Sequence, residues 1–172
     1  MYMIKEVTGD IFTTNAAIIC HQVNCKGVMG AGIAKMVKEK MGKLNFDQYQ
    51  VLCKKYGAKM LGEVLYTPNL QNVPTRQYFA NCFAQDGYGR SKQYTDYDAL
   101  KKCLHKVHDW ALKRNLVIAI PGLIGCGLAG GDWNYVKRNI IAPIFQESDV
   151  ELVIYYFTNE LFEKNAGFCR RF

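Results

Sequence analysis

Apolar positions along the chain follow two patterns, short continuous runs and longer segments with helical spacing. The run at 16–23 (AAIICHQV) is typical of a strand that is buried on both faces of a sheet. The segment 96–113 repeats apolar residues at intervals of three and four, which predicts an amphipathic helix. Because strand-like and helix-like segments alternate along the chain, the sequence predicts an α/β fold.

The other segments extend this alternation over the whole chain. Further strands are predicted at 1–7, 63–67, 77–84, 116–120 and 151–157. Further helices are predicted at 33–41, 46–56 and 133–146, followed by a short helix in the polar tail. Since no linker or repeat interrupts the pattern, we expect one domain over residues 1–172.

The composition is that of a globular protein. Of 172 residues, 49% are hydrophobic and 22% are charged, which excludes a disordered or fibrous chain. The longest uncharged stretch, 115–131, contains Pro121 and five glycines, so we expect no membrane-spanning helix. Lys5, Glu6 and Asp10 occupy the place where a signal peptide has its apolar region, which favours the cytoplasm.

Cysteine spacing and net charge narrow the choice of ligands. Seven cysteines form no C-x-x-C pair, so we expect reduced thiols, no metal site and no cofactor. Twenty-two basic and fifteen acidic residues leave a net charge of +7, which favours anionic partners such as nucleotides. Nucleic acid remains possible on charge alone.

Two glycine-rich loops, 24–32 and 122–131, each follow a buried strand and precede a helix. Glycines let backbone N–H groups approach an anion, and a helix N-terminus adds partial positive charge, so each loop can hold a phosphate. Two such loops indicate a diphosphate, whereas the alternative is that the glycines only form tight turns. Neither loop has the spacing of a P-loop or of a dinucleotide-binding fingerprint.

The ordered set of motifs resembles the macrodomain family. It comprises Gly9-Asp10-Ile11, His21-x-x-Asn24, the loop 27–34 and the loop 124–133, and it extends over residues 3–158. The nearest branch is that of the terminal ADP-ribose protein glycohydrolase and the ADP-ribose-1''-phosphate phosphatase. The resemblance implies a three-layer α/β/α sandwich with a mixed sheet of about six strands and an ADP-ribose cleft at the strand ends.

The resemblance also implies a set of ligand-binding residues. Asp10 matches a carboxylate that accepts from the adenine amine, although it can equally be a turn residue. Asn24 matches a position that faces the distal ribose, and Tyr155 and Phe157 match an aromatic wall unless they are ordinary core residues. The full set is Gly9, Asp10, Ile11, Asn24, Lys26, Gly27, Val28, Met29, Gly30, Gly32, Ile124, Gly125, Cys126, Gly127, Leu128, Ala129, Tyr155 and Phe157.

The catalytic residues match the family less well. In the glycohydrolase a lysine follows the fourth strand and an aspartate lies in the second loop, and this chain has Gln85 and Ala129 there. Asp132 can act as a general base, or it can cap the helix that begins at residue 133. The catalytic candidates are therefore Asp132, Asn24 and Gln85, with Asp86 as a further carboxylate.

These residues predict a cytoplasmic, monomeric macrodomain that binds ADP-ribose and hydrolyses an ADP-ribose derivative. The substrate would be an ADP-ribosyl ester on Asp or Glu of a protein, O-acetyl-ADP-ribose or ADP-ribose-1''-phosphate. The alternatives are a reader of ADP-ribose without turnover and a hydrolase of ADP-ribosylated nucleic acid. On strand alternation, His21 faces away from Gln22 and Asn24 and is expected to be a hydrogen-bonded core histidine.

Overall fold

The computed structural model describes residues 3–72 and 76–168. The first two residues of the first predicted strand therefore lie outside the described residues, as does Cys169.

A six-stranded mixed sheet forms the middle of the molecule. Its strand order is β1-β6-β5-β2-β4-β3. Neighbouring strands are parallel except β3, which pairs antiparallel with β4 at one edge. The strands are β1 Ile4–Thr8, β2 Ile18–Asn24, β3 Val64–Pro68, β4 Tyr78–Gln85, β5 Ile118–Pro121 and β6 Leu152–Tyr156.

Helices cover both faces of the sheet. The helices are α1 Gly32–Met41, α2 Lys43–Tyr56, α3 Tyr97–Leu112, α4 Trp133–Val136, α5 Ala142–Phe145 and α6 Asn159–Asn165. Buried residues of α1 and α2 pack on one face, and those of α3, α4 and α5 pack on the other, where α6 adds partly buried side chains. The predicted three-layer sandwich is confirmed.

The predicted elements are present, with ends shifted by a few residues. Two short 3-10 helices, Ile11–Thr13 and Gly57–Met60, were not predicted from the apolar pattern. The predicted helix at 133–146 contains a π-helical segment, Lys137–Ile141, between α4 and α5. Pro143 follows this segment. Because proline has no N–H to donate into the α-helical ladder, it accounts for the local change from α-helical to π-helical hydrogen bonding.

Burial divides the apolar side chains into two clusters, one on each side of the sheet. Ile18 and Cys20 of β2 point into the cluster beneath α3, whereas Ile19 and Val23 point into the cluster beneath α1 and α2. This alternation explains why the central strand is apolar at both odd and even positions. No helix within the described residues is long and apolar enough to cross a bilayer.

His21 is fully buried in β2, beneath the α1–α2 layer. Its Nε2 lies 2.7 Å from Oδ1 of Asn81 on β4, and Asn81 Nδ2 in turn donates to Thr67 Oγ1 at 3.0 Å. The prediction of a hydrogen-bonded core histidine is confirmed. Burial lowers the pKa of His21 from 6.5 to about 4, and the hydrogen bond to Asn81 opposes this shift only in part.

The lowered pKa predicts that acid destabilises the fold through this one residue. The unfolded chain binds a proton at His21 below pH 6.5 and the folded chain does so only below about pH 4, so this stability is complete above pH 6.5 and falls as the pH drops. Between pH 7 and pH 5 the free energy of unfolding should fall by about 2 kcal/mol. Urea unfolding at both pH values measures this difference.

His21→Gln keeps a donor for Asn81 and does not titrate, so its stability should decline less than that of the wild type. The exposed His105→Gln is the matched control and should behave like the wild type. An equal decline in all three proteins would contradict the assignment.

Candidate functional site

A cleft of about 680 Å³ lies at the carboxyl ends of β2, β4 and β5. It runs between the two glycine-rich loops, because β2 and β5 are parallel neighbours and each loop leaves the end of its strand. In open α/β sheets this edge is where ligands bind. The lining comprises Gln22–Asn24, Val28–Ala34, Gln85, Tyr88–Arg90, Pro121–Gly125 and Gly127–Ala129.

Asn24 holds the first loop in shape. Its Oδ1 accepts from the backbone N–H groups of Lys26 at 3.0 Å and Val28 at 3.3 Å, and its Nδ2 donates to the Val28 carbonyl at 2.7 Å. Its Oδ1 also lies 3.1 Å from the Tyr49 hydroxyl of α2. The register with β4 shifts between Val23 and Asn24, where Ala84 of β4 is skipped. That Asn24 faces the side opposite to His21 stays a prediction.

The second loop presents its backbone to the cleft. Leu123 has a φ of 66°, a strained value for a side chain of this kind, and Gly125 has a φ of 71°. A Cβ at Gly125 would lie 2.7 Å from Gln22 Oε1 and 3.1 Å from Thr95 Oγ1, so a side chain there would displace the hydrogen-bonded pair that supports the loop. Within the described residues, the N–H groups of Ile124, Gly125, Gly127, Leu128 and Ala129 have no hydrogen-bond partner.

The first loop offers further backbone donors on the other side of the cleft. The N–H groups of Gly30 and Ala31 also have no partner within the described residues. Gly32 begins α1, and the first N–H groups of a helix have no intrahelical acceptor. Unpartnered donors on two facing loops can bind an anion, since a phosphate oxygen can accept from several of them.

A network of three side chains connects the two sides of the cleft beneath the loops. Thr95 Oγ1 donates to the Gly125 carbonyl at 2.5 Å, so this hydroxyl oxygen accepts from Gln22 Nε2 at 2.8 Å. Gln85 Nε2 donates to the Gly87 carbonyl at 2.8 Å, which leaves Gln85 Oε1 to accept from Gln22 Nε2 at 2.9 Å. These two carbonyls therefore fix the orientation of both amides.

The lining contains few groups that can take or give a proton. Its only charged side chain is Arg90, and no carboxylate, histidine, lysine or cysteine is among the described residues that line it. Burial, and secondarily the Asp132 charge, raise the pKa of Cys126 to about 12. Burial, and secondarily the Asp86 charge, raise that of Cys25 to about 12. Neither thiol is therefore ionised near neutral pH.

The structure brings eleven of the sequence-predicted residues together in this lining. They belong to the two glycine loops and to the end of β4, and the backbone supplies most of their polar groups. They are Asn24, Val28, Met29, Gly30, Gly32, Gln85, Ile124, Gly125, Gly127, Leu128 and Ala129.

Lys26 and Gly27 turn away from the cleft. Lys26 Nζ pairs with Asp86 Oδ1 at 3.0 Å, and the Gly27 carbonyl accepts from Gln50 Nε2 at 3.1 Å. Both residues line a separate shallow depression of about 540 Å³ against α2. Cys126 is likewise not part of the cleft lining, although its neighbours are.

The residues predicted to hold adenine lie beside the cleft, at the ends of β1 and β6. The end of β6 is joined to the second glycine loop by a backbone hydrogen bond, in which Gly122 N donates to the Tyr155 carbonyl at 2.7 Å. The Asp10 carboxylate accepts from Phe12 N at 2.9 Å and caps the helix that begins at Ile11. Phe157 is 76% exposed, so it is not an ordinary core residue, whereas Tyr155 packs partly against the core under α1 and α2.

Asp132 caps α4 and does not line the cleft. Its Oδ1 accepts from Asn134 N at 2.8 Å and lies 3.4 Å from Tyr135 N. Its own N–H donates to the Tyr97 hydroxyl at 2.9 Å. The capping alternative is confirmed, and a role as general base stays a prediction that the position of the carboxylate does not favour.

Sequence reasoning missed several cleft residues. Gln22 could have been found, because it is a polar residue within an otherwise apolar buried strand. Thr95, which supports Gly125, lies far from the glycine loops in sequence and gave no signal. Tyr88 and Arg90 reach the cleft because Tyr94 N and Thr95 N donate to the Ala129 carbonyl and draw this segment against the second loop.

A three-layer α/β/α fold with two glycine loops at the ends of parallel strands is an architecture that nucleotide-binding α/β domains use. Residues 20–140 match the model of the Macro domain family, and the chain belongs to that family. The resemblance drawn from the motifs is thereby confirmed.

Curated relatives include proteins of both bacteria and mammals. The chain is 26% identical over 154 residues to a DNA ADP-ribosyl glycohydrolase of Mycobacterium tuberculosis, covering 89% of this chain and 42% of that protein. It is 28% identical over 155 residues to the ADP-ribose glycohydrolase OARD1 of Bos taurus, covering 88% and 90%. The chain thus spans about two fifths of the mycobacterial relative's length.

Solved structures share the fold. The macrodomain of Mycobacterium tuberculosis DarG has a TM-score of 0.72 and 27% identity, covering 90% of this chain and 98% of that one. A Bacteroides thetaiotaomicron protein has a TM-score of 0.74 and 28% identity, covering 90% and 99%.

The cap geometry predicts that Asp132 matters for stability through hydrogen bonding. Asp132→Ala should lower the free energy of unfolding by about 1 kcal/mol, whereas Asp132→Asn should change it little, because asparagine caps nearly as well. Urea unfolding compares the two variants. Asp149→Ala removes an exposed carboxylate that caps no described helix and should resemble the wild type. Equal losses in the Asn and Ala variants would contradict the capping role.

Proposed function

We propose that this macrodomain binds ADP-ribose in the cleft and hydrolyses an ADP-ribose derivative. The observation that carries the proposal is the set of unpartnered backbone N–H groups on the two facing glycine loops. A diphosphate supplies the two adjacent anions that such a pair of loops would bind. The cleft volume of about 680 Å³ lies within the range for a small-molecule site.

The names of curated relatives support the same class of ligand. Besides the two glycohydrolases described above, the chain is 30% identical over 104 residues to an ADP-ribose 1''-phosphate phosphatase of Saccharomyces cerevisiae, covering 58% of each chain. All three names refer to hydrolysis of an ADP-ribose derivative.

The ligand would lie across the ends of the strands. Adenine would lie at the ends of β1 and β6, where the Asp10 carboxylate can accept from its amine and the Ile11 N–H can donate to a ring nitrogen. The exposed Phe157 ring can pack on its face. The diphosphate would lie between the glycine loops. The distal ribose would then lie toward Asn24 and Gln85, the predicted catalytic amides that line the cleft.

The chemistry would rely on positioning more than on proton transfer. Water would form a bond to the anomeric carbon while the bond to the acceptor oxygen breaks, and the water proton would pass to solvent. The amides of Asn24 and Gln85 can orient a water by hydrogen bonds but cannot hold its proton. Carboxylate or phosphate acceptors leave as stable anions and need little help from a general acid. This favours ADP-ribosyl esters and ADP-ribose-1''-phosphate as substrates. For O-acetyl-ADP-ribose, water would instead attack the acetyl carbonyl carbon, and the ribose oxygen would leave and take a proton from solvent.

A reader of ADP-ribose without turnover is the second candidate. The observation that favours it is the lack of a carboxylate, histidine, lysine or cysteine among the described residues that line the cleft. Such a protein would use the same glycine loops to bind ADP-ribose on a modified partner.

We also infer a cytoplasmic monomer in which residues 1–172 form a single domain. The six described cysteines are free thiols, five of them buried, as is usual in a reducing compartment. Both apolar clusters pack against one sheet, which supports a single folding unit.

Gly127→Glu should abolish ADP-ribose binding while the protein stays folded. A Cβ at this position meets nothing within 4 Å, so the substitution leaves the free protein undisturbed. The new carboxylate would stand in the cleft and repel a diphosphate. Calorimetric titration with ADP-ribose measures the effect, and thermal melting verifies the fold.

Gly127→Ala is the matched control and should bind ADP-ribose within a few fold of the wild type, since it adds no charge. If the folded Glu variant binds as tightly as the wild type, the second loop does not hold the diphosphate.

Turnover distinguishes the enzyme from the reader. If the amides position the water, Gln85→Ala should lower kcat by about 10²-fold and change the ADP-ribose Kd little, whereas Asp132→Asn should keep full turnover. Hydrolysis of ADP-ribose-1''-phosphate and of a glutamate-ADP-ribosylated protein provides the assay. A loss of activity in Asp132→Asn would show that the Asp132 carboxylate acts as the general base. No turnover by the wild type on either substrate would favour the reader.

A further inference from the structure

The segment 86–95 connects β4 to α3 and borders the ligand cleft. At its start the Asp86 carbonyl accepts from the N–H of Cys25 in the first loop at 3.2 Å. At its end Tyr94 N donates to the Ala129 carbonyl of the second loop at 2.8 Å. The segment is therefore fastened to both glycine-rich loops.

The Tyr94 ring sets the path of this segment. A Cβ at Gly87 would lie 3.3 Å from a ring carbon of Tyr94, and one at Gly89 would lie 3.0 Å from its hydroxyl oxygen, so the backbone passes close to the ring at both glycines. Gly89 also has a φ of 144°, a value that favours glycine. These contacts position Tyr88 and Arg90, the two neighbours of Gly89, in the lining of the cleft.

Arg90 brings a positive charge to the cleft that no described residue neutralises. It is exposed, and it takes part in none of the salt bridges within residues 3–72 and 76–168. The carboxylates of neighbouring segments have other partners, since Asp86 pairs with Lys26 and Asp132 caps α4. A guanidinium stays protonated, and its planar fork matches a carboxylate or a phosphate. Arg90 is therefore available to an anionic group of a ligand.

The order of the strands tells which part of a ligand the segment 86–95 would meet. Adenine would lie at the ends of β1 and β6, and β4 is separated from β6 by β5 and β2. The segment leaves β4 directly after Gln85, which pairs with Asn24 where β2 ends. Arg90 therefore follows the strand end that would face the distal ribose, on the side of the cleft away from adenine.

We propose that Arg90 binds the acceptor group on the anomeric carbon and stabilises the negative charge that this group carries as it leaves. The proposal rests on the proposed function, because it assigns a further residue to the same hydrolysis. The glycine loops would bind the diphosphate and the amides of Asn24 and Gln85 would orient the water. Arg90 would supply the cation that neither of these groups provides.

The bond changes define what Arg90 does in this reaction. A water oxygen forms a bond to the anomeric carbon, and the electron pair of the breaking C–O bond goes to the acceptor oxygen. The water proton passes to solvent, while Arg90 keeps its protons and donates hydrogen bonds only. A donor placed where negative charge develops stabilises the transition state more than the substrate.

The two favoured substrates differ in when the acceptor becomes charged. An ADP-ribosyl ester is neutral at the acceptor until the C–O bond breaks, so Arg90 should act on kcat. The phosphate of ADP-ribose-1''-phosphate is charged in the free substrate, so Arg90 should act mainly on KM. The same side chain is thus expected to give two different kinetic signatures.

The test removes the charge of Arg90 and compares it with the loss of a neighbouring charge. Arg90→Gln removes the cation, and Arg90→Lys keeps the charge but loses the fork. Lys92→Gln is the matched control, since Lys92 is exposed in the same segment and is not among the residues that line the cleft. Steady-state kinetics use a glutamate-ADP-ribosylated protein and ADP-ribose-1''-phosphate, calorimetry measures free ADP-ribose, and thermal melting verifies each fold.

On the ester, Arg90→Gln should lower kcat by about 30-fold or more and leave KM within about twofold of the wild type. On ADP-ribose-1''-phosphate it should raise KM by about tenfold, the scale of a lost charge-assisted hydrogen bond. Arg90→Lys should fall between Arg90→Gln and the wild type on both substrates. Lys92→Gln should match the wild type.

Three outcomes would overturn the role of Arg90 and leave the proposed function in place. Unchanged kinetics in Arg90→Gln would remove the side chain from the reaction. Equal losses in Arg90→Gln and Lys92→Gln would show that only the charge of the segment matters. A weakening of free ADP-ribose binding as large as the loss on both substrates would place the guanidinium on the diphosphate.

A wild type that binds ADP-ribose but hydrolyses neither substrate would contradict the proposed hydrolysis and, with it, the transition-state role of Arg90. Calorimetry then decides whether Arg90 still contacts the acceptor group. Tighter wild-type binding of ADP-ribose-1''-phosphate than of ADP-ribose, with the preference lost in Arg90→Gln, would support that contact, and equal affinities would overturn it.

Discussion

The parallel pairing of β2 with β5 is the constraint on which the site depends. Ile18 and Ile19 pair with Ile118 and Ala119, so both strands run in the same direction in the centre of the sheet. Each chain segment that leaves these strands must therefore start at the same edge. Two loops that are about a hundred residues apart in sequence become the two walls of one cleft.

The loops can offer N–H groups to a ligand because other groups hold their shape. In the first loop, the Asn24 side chain accepts a hydrogen bond from the Lys26 N–H. In the second loop, Thr95 donates to the Gly125 carbonyl and is itself held by Gln22. Partly buried side-chain hydrogen bonds of this kind fix a backbone that has no ladder partner of its own. The strained φ of Leu123 indicates that the surrounding structure imposes the loop's conformation.

The cleft and the surface beside it differ in their chemistry. The cleft lining is dominated by backbone amides, neutral side-chain amides and apolar groups. By contrast, five lysines of α1 and α2 form no salt bridge with any described residue, whereas Lys43 pairs with Asp47. Backbone donors recognise an anion by geometry at short range, and lysines on flexible stems attract one over a longer distance.

The sequence by itself determined the α/β class, the six strands, the glycine loops and the family, because periodicity and local motifs are properties of neighbouring residues. It left open whether Asp132 was a base or a cap and Asp10 a turn or a ligand residue. Only the tertiary structure brought Gln22, Thr95 and Gly125 together and excluded Asp132 from the cleft lining, because those contacts join strands and loops that are distant in sequence.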